Sequence, residues 1–206
     1  MKTLVIVTGY SGAGKSTFIE AVTSAYPREI CSYHIATPFK QMMRVLWGVD
    51  VDNRDIRKTH RPNGRETVGE LMASAFIKFR EWDKDVLMPG LRKRVRTFAA
   101  NEEQDFLLVD GVRTVSEVQE LMALCTEQRI NLTALEIVRK NMVEEPHKYI
   151  QADLYLTFEY LDSLYNQRLP DVVNTFDTRE DWAEFSRQFW LNHYMYDHKT
   201  SIQLAY

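Results

Sequence analysis

The sequence predicts an α/β fold, three layers built on a parallel sheet of about five strands with an inserted helical lobe. Two observations point to it. Short apolar or β-branched runs at Thr3–Thr8, Ile30–Ala36, Phe106–Val109 and Leu132–Val138, with Asp171–Asn174 as a last short one, alternate with stretches in which apolar residues recur at helical spacing. The first of these runs leads at once into a glycine-rich turn that opens a helix. At 206 residues the chain has material for one core, so residues 1–206 are read as a single domain, with the helical insertion over about 37–100.

Each element has its own signal. The first strand is apolar throughout, as in a strand buried on both faces of a parallel sheet. From Lys15 to about Tyr26, Phe18, Ile19, Val22 and Ala25 share a helix face, and Pro27 stops it. Thr37 and Pro38 read as a cap and first helical position after the second strand, with the helix running towards Trp47 and ending near Gly48. Val49 to Gly64 is polar and carries Arg54, Arg57, Lys58, His60 and Arg61, and is read as a mobile basic loop. Helices are expected from Arg65 to Phe79, from about Asp83 to Ala99, and from Thr114 to Gln128. Between Arg139 and Leu169 the pattern is irregular and too long for an ordinary connection, which suits a lid over about 139–169 or a packed helix around Leu154 to Leu164 followed by a turn. A closing helix is expected from Thr178 to Trp190, with the tail after Asn192 as a surface arm.

Composition narrows the function classes. The formal charge of −3 argues against nucleic-acid binding by bulk attraction, and no apolar run is long enough to span a bilayer. Cys31 and Cys125 have no Cys/His partners at metal-ligand spacing and are read as buried, reduced thiols. An apolar stretch at the amino end too short for a signal peptide suggests a cytoplasmic protein.

Gly9-Tyr10-Ser11-Gly12-Ala13-Gly14-Lys15-Ser16-Thr17 fits G-x-x-x-x-G-K-[ST] at every fixed position, between a strand and a helix. Its glycines let successive backbone N–H groups converge on phosphates at a helix N-terminus. Gly9, Ser11, Gly12, Ala13, Gly14, Lys15, Ser16 and Thr17 are therefore candidate ATP contacts. Lys15 would neutralise β- and γ-phosphate charge, Ser16 would ligate Mg2+, and Thr17 would add a hydroxyl contact. A second signal is Phe106-Leu107-Leu108-Val109-Asp110, which places an acid at the carboxyl end of a core strand, where ligands bind in such sheets. Asp110 would hold the metal or take a proton from an attacking oxygen, and otherwise would be a helix cap. Arg113 would face the same pocket and grip a phosphate, or pair with Glu117.

Taken in order, the P-loop, Ala36-Thr37-Pro38-Phe39-Lys40, Arg65-Glu66-Thr67-Val68-Gly69-Glu70-Leu71 and Asp110-Gly111-Val112-Arg113 resemble the bacteriophage deoxynucleoside monophosphate kinases. That resemblance implies a P-loop kinase fold and ATP- and Mg2+-dependent transfer to a deoxynucleoside monophosphate. It also implies that Lys40 and Arg65 line the acceptor site, that Arg113 holds the acceptor phosphate, and that Arg139 reaches the phosphates beside Lys15 and Asp110. The chain departs from the family at Gly69, where arginine is more usual, and in having two residues between Asp110 and Arg113. Its lid range offers only Arg139, Lys140, Lys148 and Arg168 as cations.

Two other functions fit the same motif. One is a P-loop kinase acting on a hydroxyl, either of a nucleoside or of a modified base such as a hydroxymethylpyrimidine in DNA, with Asp110 as base and the basic loop from Arg54 to Arg61 facing the acceptor. The loop is alternatively a solvated hinge balanced by Asp50, Asp52 and Asp55. The other is a slow NTPase switch or binding module, although the chain has no guanine-specific N-K-x-D tetrapeptide. Partners are read as a nucleotide acceptor, DNA only under the hydroxyl alternative, and no membrane. The aromatic arm from Trp190 to Tyr196 and the ending Ile202 to Tyr206 could dock on a second copy in a homodimer or pack on their own domain.

Overall fold

The computed structural model describes residues 2–9, 12–139 and 172–195. Tyr10 and Ser11, the expected lid beyond Arg139 with its helix around Leu154 to Leu164, and the arm beyond Met195 lie outside the described residues.

The chain runs β1 (Thr3–Thr8), α1 (Lys15–Ala25), β2 (Ile30–His34), α2 (Thr37–Trp47), α3 (Arg54–Thr59), α4 (Val68–Trp82), α5 (Met88–Ala100), β3 (Phe106–Asp110), α6 (Val115–Gln128), β4 (Asn131–Arg139), β5 (Val172–Asn174) and α7 (Arg179–Trp190), and closes with a π-helical turn at Leu191–Met195. The strands form one five-stranded sheet in the order β2-β3-β1-β4-β5. Every strand pair is parallel, so all strand ends of one kind lie along one edge. From β1 the chain builds β2 and β3 on one side, then β4 and β5 on the other. This reversal makes the carboxyl end of β1 a crevice for a ligand.

The alternation along β1 separates the layers. Leu4 and Ile6 join Leu107, Val109, Phe39, Leu91, Val95, Val118 and Leu121 on one face, under α2, α5 and α6. Val5 and Val7 join Phe18, Val22, Leu135, Ile137, Trp182 and Trp190 on the other, under α1 and α7. Both faces of β1 and β3 are thereby buried, which is why these strands are apolar at nearly every position. The α/β class, the three layers and the five parallel strands are those the sequence predicts. Cys31 and Cys125 are free and buried. Among the described residues no helix is long and apolar enough to cross a membrane.

Several local readings need correction. The stretch read as a mobile basic loop contains α3, whose first turn is capped by the Asn53 side chain accepting from the Asp55 and Ile56 N–H groups at 2.9 and 3.2 Å. Two of its three supposed counter-charges are spent elsewhere: Asp52 pairs with Lys40 at 3.0 Å and with Arg44, and Asp50 lies 3.6 Å from Arg44. The cap of α2 is Ala36 rather than Thr37, whose hydroxyl instead donates to the His34 carbonyl at 2.6 Å. The fourth helix begins at Val68, not Arg65, because Thr67 and Glu70 form a reciprocal capping box there. Gly69 in its first turn lies so close to α3 that a Cβ would stand 3.1 Å from the Arg57 carbonyl. Close packing of two helices accounts for the small residue at that position. The next helix starts at Met88, five residues later than expected from Asp83. Finally, the turn after α7 is not a surface arm as far as Met195: Tyr194 and Met195 are buried, and the Tyr194 ring stacks on Trp190 with centroids 4.1 Å apart.

Candidate phosphate-binding site

The site is assembled where β1 meets α1. Thr8 ends the strand and Gly9 turns the chain with φ of 129°, against β4 so closely that a Cβ would lie 2.2 Å from the Ile137 carbonyl oxygen. Gly14, with φ of 105°, is the N-cap of α1 and makes no side-chain capping bond. The first turn of α1 contains no acidic residue. A helix N-terminus of this kind leaves N–H groups and the positive dipole end for an anion. Ala13 is buried, whereas Gly12 and Ser16 are exposed.

Lys15 turns back over the loop and its Nζ donates to the Gly9 carbonyl at 2.7 Å. Burial lowers its pKa from the ordinary 10.5, Asp110 opposes the shift and Arg113 adds to it. The three side chains therefore feel one another. Asp110 ends β3 in register with Val7 of β1 and His34 of β2, and is buried. Gly111 follows with φ of 88°, and a Cβ there would come within 2.8 Å of the His34 ring. Arg113 follows two residues after this glycine.

Glu117 organises the next turn. Its carboxylate accepts from the Arg113 and Thr114 backbone N–H groups at 2.7 and 3.2 Å and forms an ion pair with Arg80 of α4. The expected competitor for Arg113 is thus occupied by backbone and by Arg80. Burial pushes the Arg113 guanidinium below its usual pKa, and of the two carboxylates that oppose this, Asp110 acts more strongly than Glu117. Arg113 belongs electrostatically with Lys15 and Asp110.

The remaining sequence candidates divide. Arg139, at the end of β4, reaches the loop, its guanidinium 3.5 Å from the Gly12 carbonyl. Lys40 lies beside this group through its effect on His34, but its ammonium is paired with Asp52. Arg65 is exposed ahead of α4; its backbone N–H donates to Asn63 and its carbonyl accepts from Arg61. Among the described residues it makes no ion pair with Glu66 or Glu70. Ser11 and the lid cations beyond Arg139 lie outside the described residues.

Three residues at this edge are not singled out by the sequence reading. His34 ends β2 opposite Asp110, and its Nδ1 accepts the Ala36 N–H at 3.1 Å, leaving the neutral ring's proton on Nε2. Burial, then Lys40 and Arg113, push its pKa down to about 4, against the attraction of Asp110 and Asp52. Asn174, at the end of β5, donates from Nδ2 to the Ala13 carbonyl at 3.0 Å. The Trp182 indole of α7 donates to the Gly14 carbonyl at 3.0 Å. His34 and Asn174 carry the same signal as Asp110, a polar residue closing an apolar strand; nothing in the local pattern marks Trp182.

The arrangement fits a polyphosphate: an N–H-rich turn, a helix N-terminus and a lysine, with a buried acid and a buried guanidinium alongside. The exposed Ser16 at the start of α1 and the buried Asp110 at the end of β3 are the oxygen side chains that could serve as donors to Mg2+. No group of three or more His, Cys, Asp or Glu side chains able to hold a metal occurs among the described residues.

No protein-family model and no curated protein matches the chain. Among solved structures it is similar to a candidate kinase from Chloroflexus aurantiacus, at 16% identity over 91% of this chain and 97% of that one, with a TM-score of 0.44. It is also similar to a sugar kinase from Janibacter sp. HTCC2649, at 14% identity over 93% and 94% with a TM-score of 0.39. A third is the tunicamycin resistance protein of Deinococcus radiodurans, at 11% identity over 90% and 94% with a TM-score of 0.37. These likenesses are too distant to bear on substrate.

Proposed function

We propose that this chain is a P-loop phosphotransferase that moves the γ-phosphate of ATP, with Mg2+, to a (deoxy)nucleoside monophosphate, and so acts in the manner of the phage deoxynucleoside monophosphate kinases that its motifs resemble. The observation that carries the reading is the grouping of Lys15, Asp110 and Arg113 at the carboxyl edge of β1 and β3, directly beside the glycine turn.

Phosphoryl transfer asks a protein chiefly for positioning and for positive charge where negative charge accumulates. Backbone N–H groups of the loop and the start of α1 hold the donor phosphates. Lys15 leaves the Gly9 carbonyl to take up phosphate oxygens, its charge favoured by Asp110. Bound Mg2+ would neutralise the β- and γ-oxygens from the Ser16 and Asp110 side. Arg113, held by the Glu117-anchored turn, grips the acceptor phosphate in a bidentate manner and brings its oxygen in line. Arg139 moves from the Gly12 carbonyl to the transferring group. Lys40 reaches the acceptor only by giving up Asp52, so its contribution is secondary. The proposed unit is the whole chain as one domain, with α2–α5 as the acceptor lobe and the stretch after Arg139 as lid.

A hydroxyl acceptor, on a nucleoside or on a modified base in DNA, is the second reading. It is favoured by one observation: Asp110 is buried beside His34, a place where a carboxylate can take a proton from an attacking hydroxyl. A coupled ADP-release assay separates the two. Stimulation by one or more deoxynucleoside monophosphates supports the first reading; stimulation by nucleosides or DNA alone supports the second. Slow release indifferent to every acceptor overturns both.

A further inference from the structure

Three consecutive carbonyls of the glycine turn are held from behind by side chains of the last third of the chain. Gly12 O faces Arg139 at 3.5 Å, Ala13 O accepts from Asn174 at 3.0 Å, and Gly14 O accepts from Trp182 at 3.0 Å as well as from the Phe18 backbone N–H of α1 at 2.9 Å. In a trans peptide the C=O of one residue and the N–H of the next point in opposite directions. With the Ala13 and Gly14 carbonyls held on the β5 and α7 side, the N–H groups of Gly14 and Lys15 are turned the other way.

We propose that Asn174 and Trp182 are positioning residues that hold the phosphate loop in its anion-receiving form before a nucleotide arrives; this rests on the phosphate-loop reading given above. Both are built for that work. Asn174 is 5% exposed, and its Oδ1 accepts the Phe176 N–H at 3.2 Å, which fixes the amide so that Nδ2 can only face the loop. Trp182 is 2% exposed and its ring is wedged among Phe18, Phe176 and Phe185. The fit is close on both sides: a Cβ on Gly14 would lie 2.6 Å from the Trp182 Nε1 and 2.8 Å from the Asn174 Nδ2. A glycine is needed here for the clamp as well as for the positive φ. Preorganised donors cost no rearrangement when the charge arrives, so the clamp acts on nucleotide affinity rather than on the chemical step.

Two substitutions separate this from simple packing. Trp182→Phe keeps an aromatic ring in the cluster while removing the indole N–H together with the rest of the fused ring, so Asn174→Asp, which conserves volume, is the cleaner test. Asn174→Asp keeps the acceptor for Phe176 and turns an oxygen towards the Ala13 carbonyl. Titration calorimetry with Mg-ATP is expected to show binding weakened about tenfold for Trp182→Phe and more for Asn174→Asp, because one hydrogen bond is worth about a factor of five to ten. KM for ATP should rise with it while kcat at saturation stays close to wild type. Unchanged Mg-ATP affinity in a folded variant overturns the clamp, and Asn174→Asp decides the matter if Trp182→Phe does not fold. In the wild type, the Trp182 indole proton should resist solvent exchange, and a freely exchanging one overturns the clamp without any variant. Failure of the wild type to bind Mg-ATP overturns the phosphate-loop reading and the clamp with it; binding by wild type and both variants alike overturns the clamp alone.

Discussion

Lys15 is held in a place that disfavours its own charge. Burial lowers its affinity for a proton, and the nearby carboxylate of Asp110 partly restores it, so the ammonium gains most when phosphate oxygens arrive. Removing it should lower turnover by orders of magnitude: Lys15→Ala is expected to fold and to be nearly inactive, and near-normal turnover in a steady-state assay would contradict the role given to it. Asp110→Asn should likewise fold and lose Mg2+-dependent turnover; if activity is unchanged, Asp110 is only a structural group. His34 makes a prediction about stability instead. The unfolded imidazole takes up a proton below about 6.5, the folded one only near 4, so between those values the unfolded state holds more protons and stability falls as pH falls. Above that window neither form is charged and the dependence vanishes. The melting difference between wild type and His34→Gln should therefore move in the variant's favour from pH 6.5 to 4, whereas a constant difference would show that His34 is not held neutral. Lys15 and Asp110 were legible because each is fixed by a pattern whose physical purpose is local. That the Arg113 charge feels Asp110 more strongly than Glu117 was not, since the Glu117 carboxylate is also the ion partner of Arg80 from α4.

At the scale of elements, ends are decided by caps. The start of α4 at Val68 follows from the Thr67 and Glu70 box, and Thr67→Ala should cost about 1 kcal/mol in denaturant unfolding. Glu117 carries a larger load, since it caps α6, holds the Arg113 turn and is the ion partner of Arg80, whose buried Nε has no hydrogen-bond partner among the described residues. Glu117→Ala should cost about 3–5 kcal/mol, the range for stranding one member of a buried pair, and should weaken acceptor binding more than ATP binding. Equal losses of both would show that the turn serves the fold alone. Strands and long helices were readable because period and burial coincide in them. The short polar α3 was not, for it has no apolar period to read: its only sequence signal is Asn53, and its place is set by contact with α4.

At the scale of the molecule, the sequence order of strands does not encode their order in the sheet. That β1 lies centrally, between β3 and β4, is decided by which apolar faces cover which helices, and this arrangement puts the glycine turn within reach of residues from β3, β4, β5 and α7. The motif itself was plain in the sequence; the clamp behind it joins residues about 160 positions apart and needed the fold. The central claim is transfer rather than hydrolysis, and it is tested most directly by following the γ-phosphate itself. Incubation of the protein with γ-labelled ATP, Mg2+ and the deoxynucleoside monophosphates should place the label in a deoxynucleoside diphosphate, and Lys15→Ala should abolish that product. Label recovered only as inorganic phosphate, or only on a nucleoside or DNA, would contradict the claim.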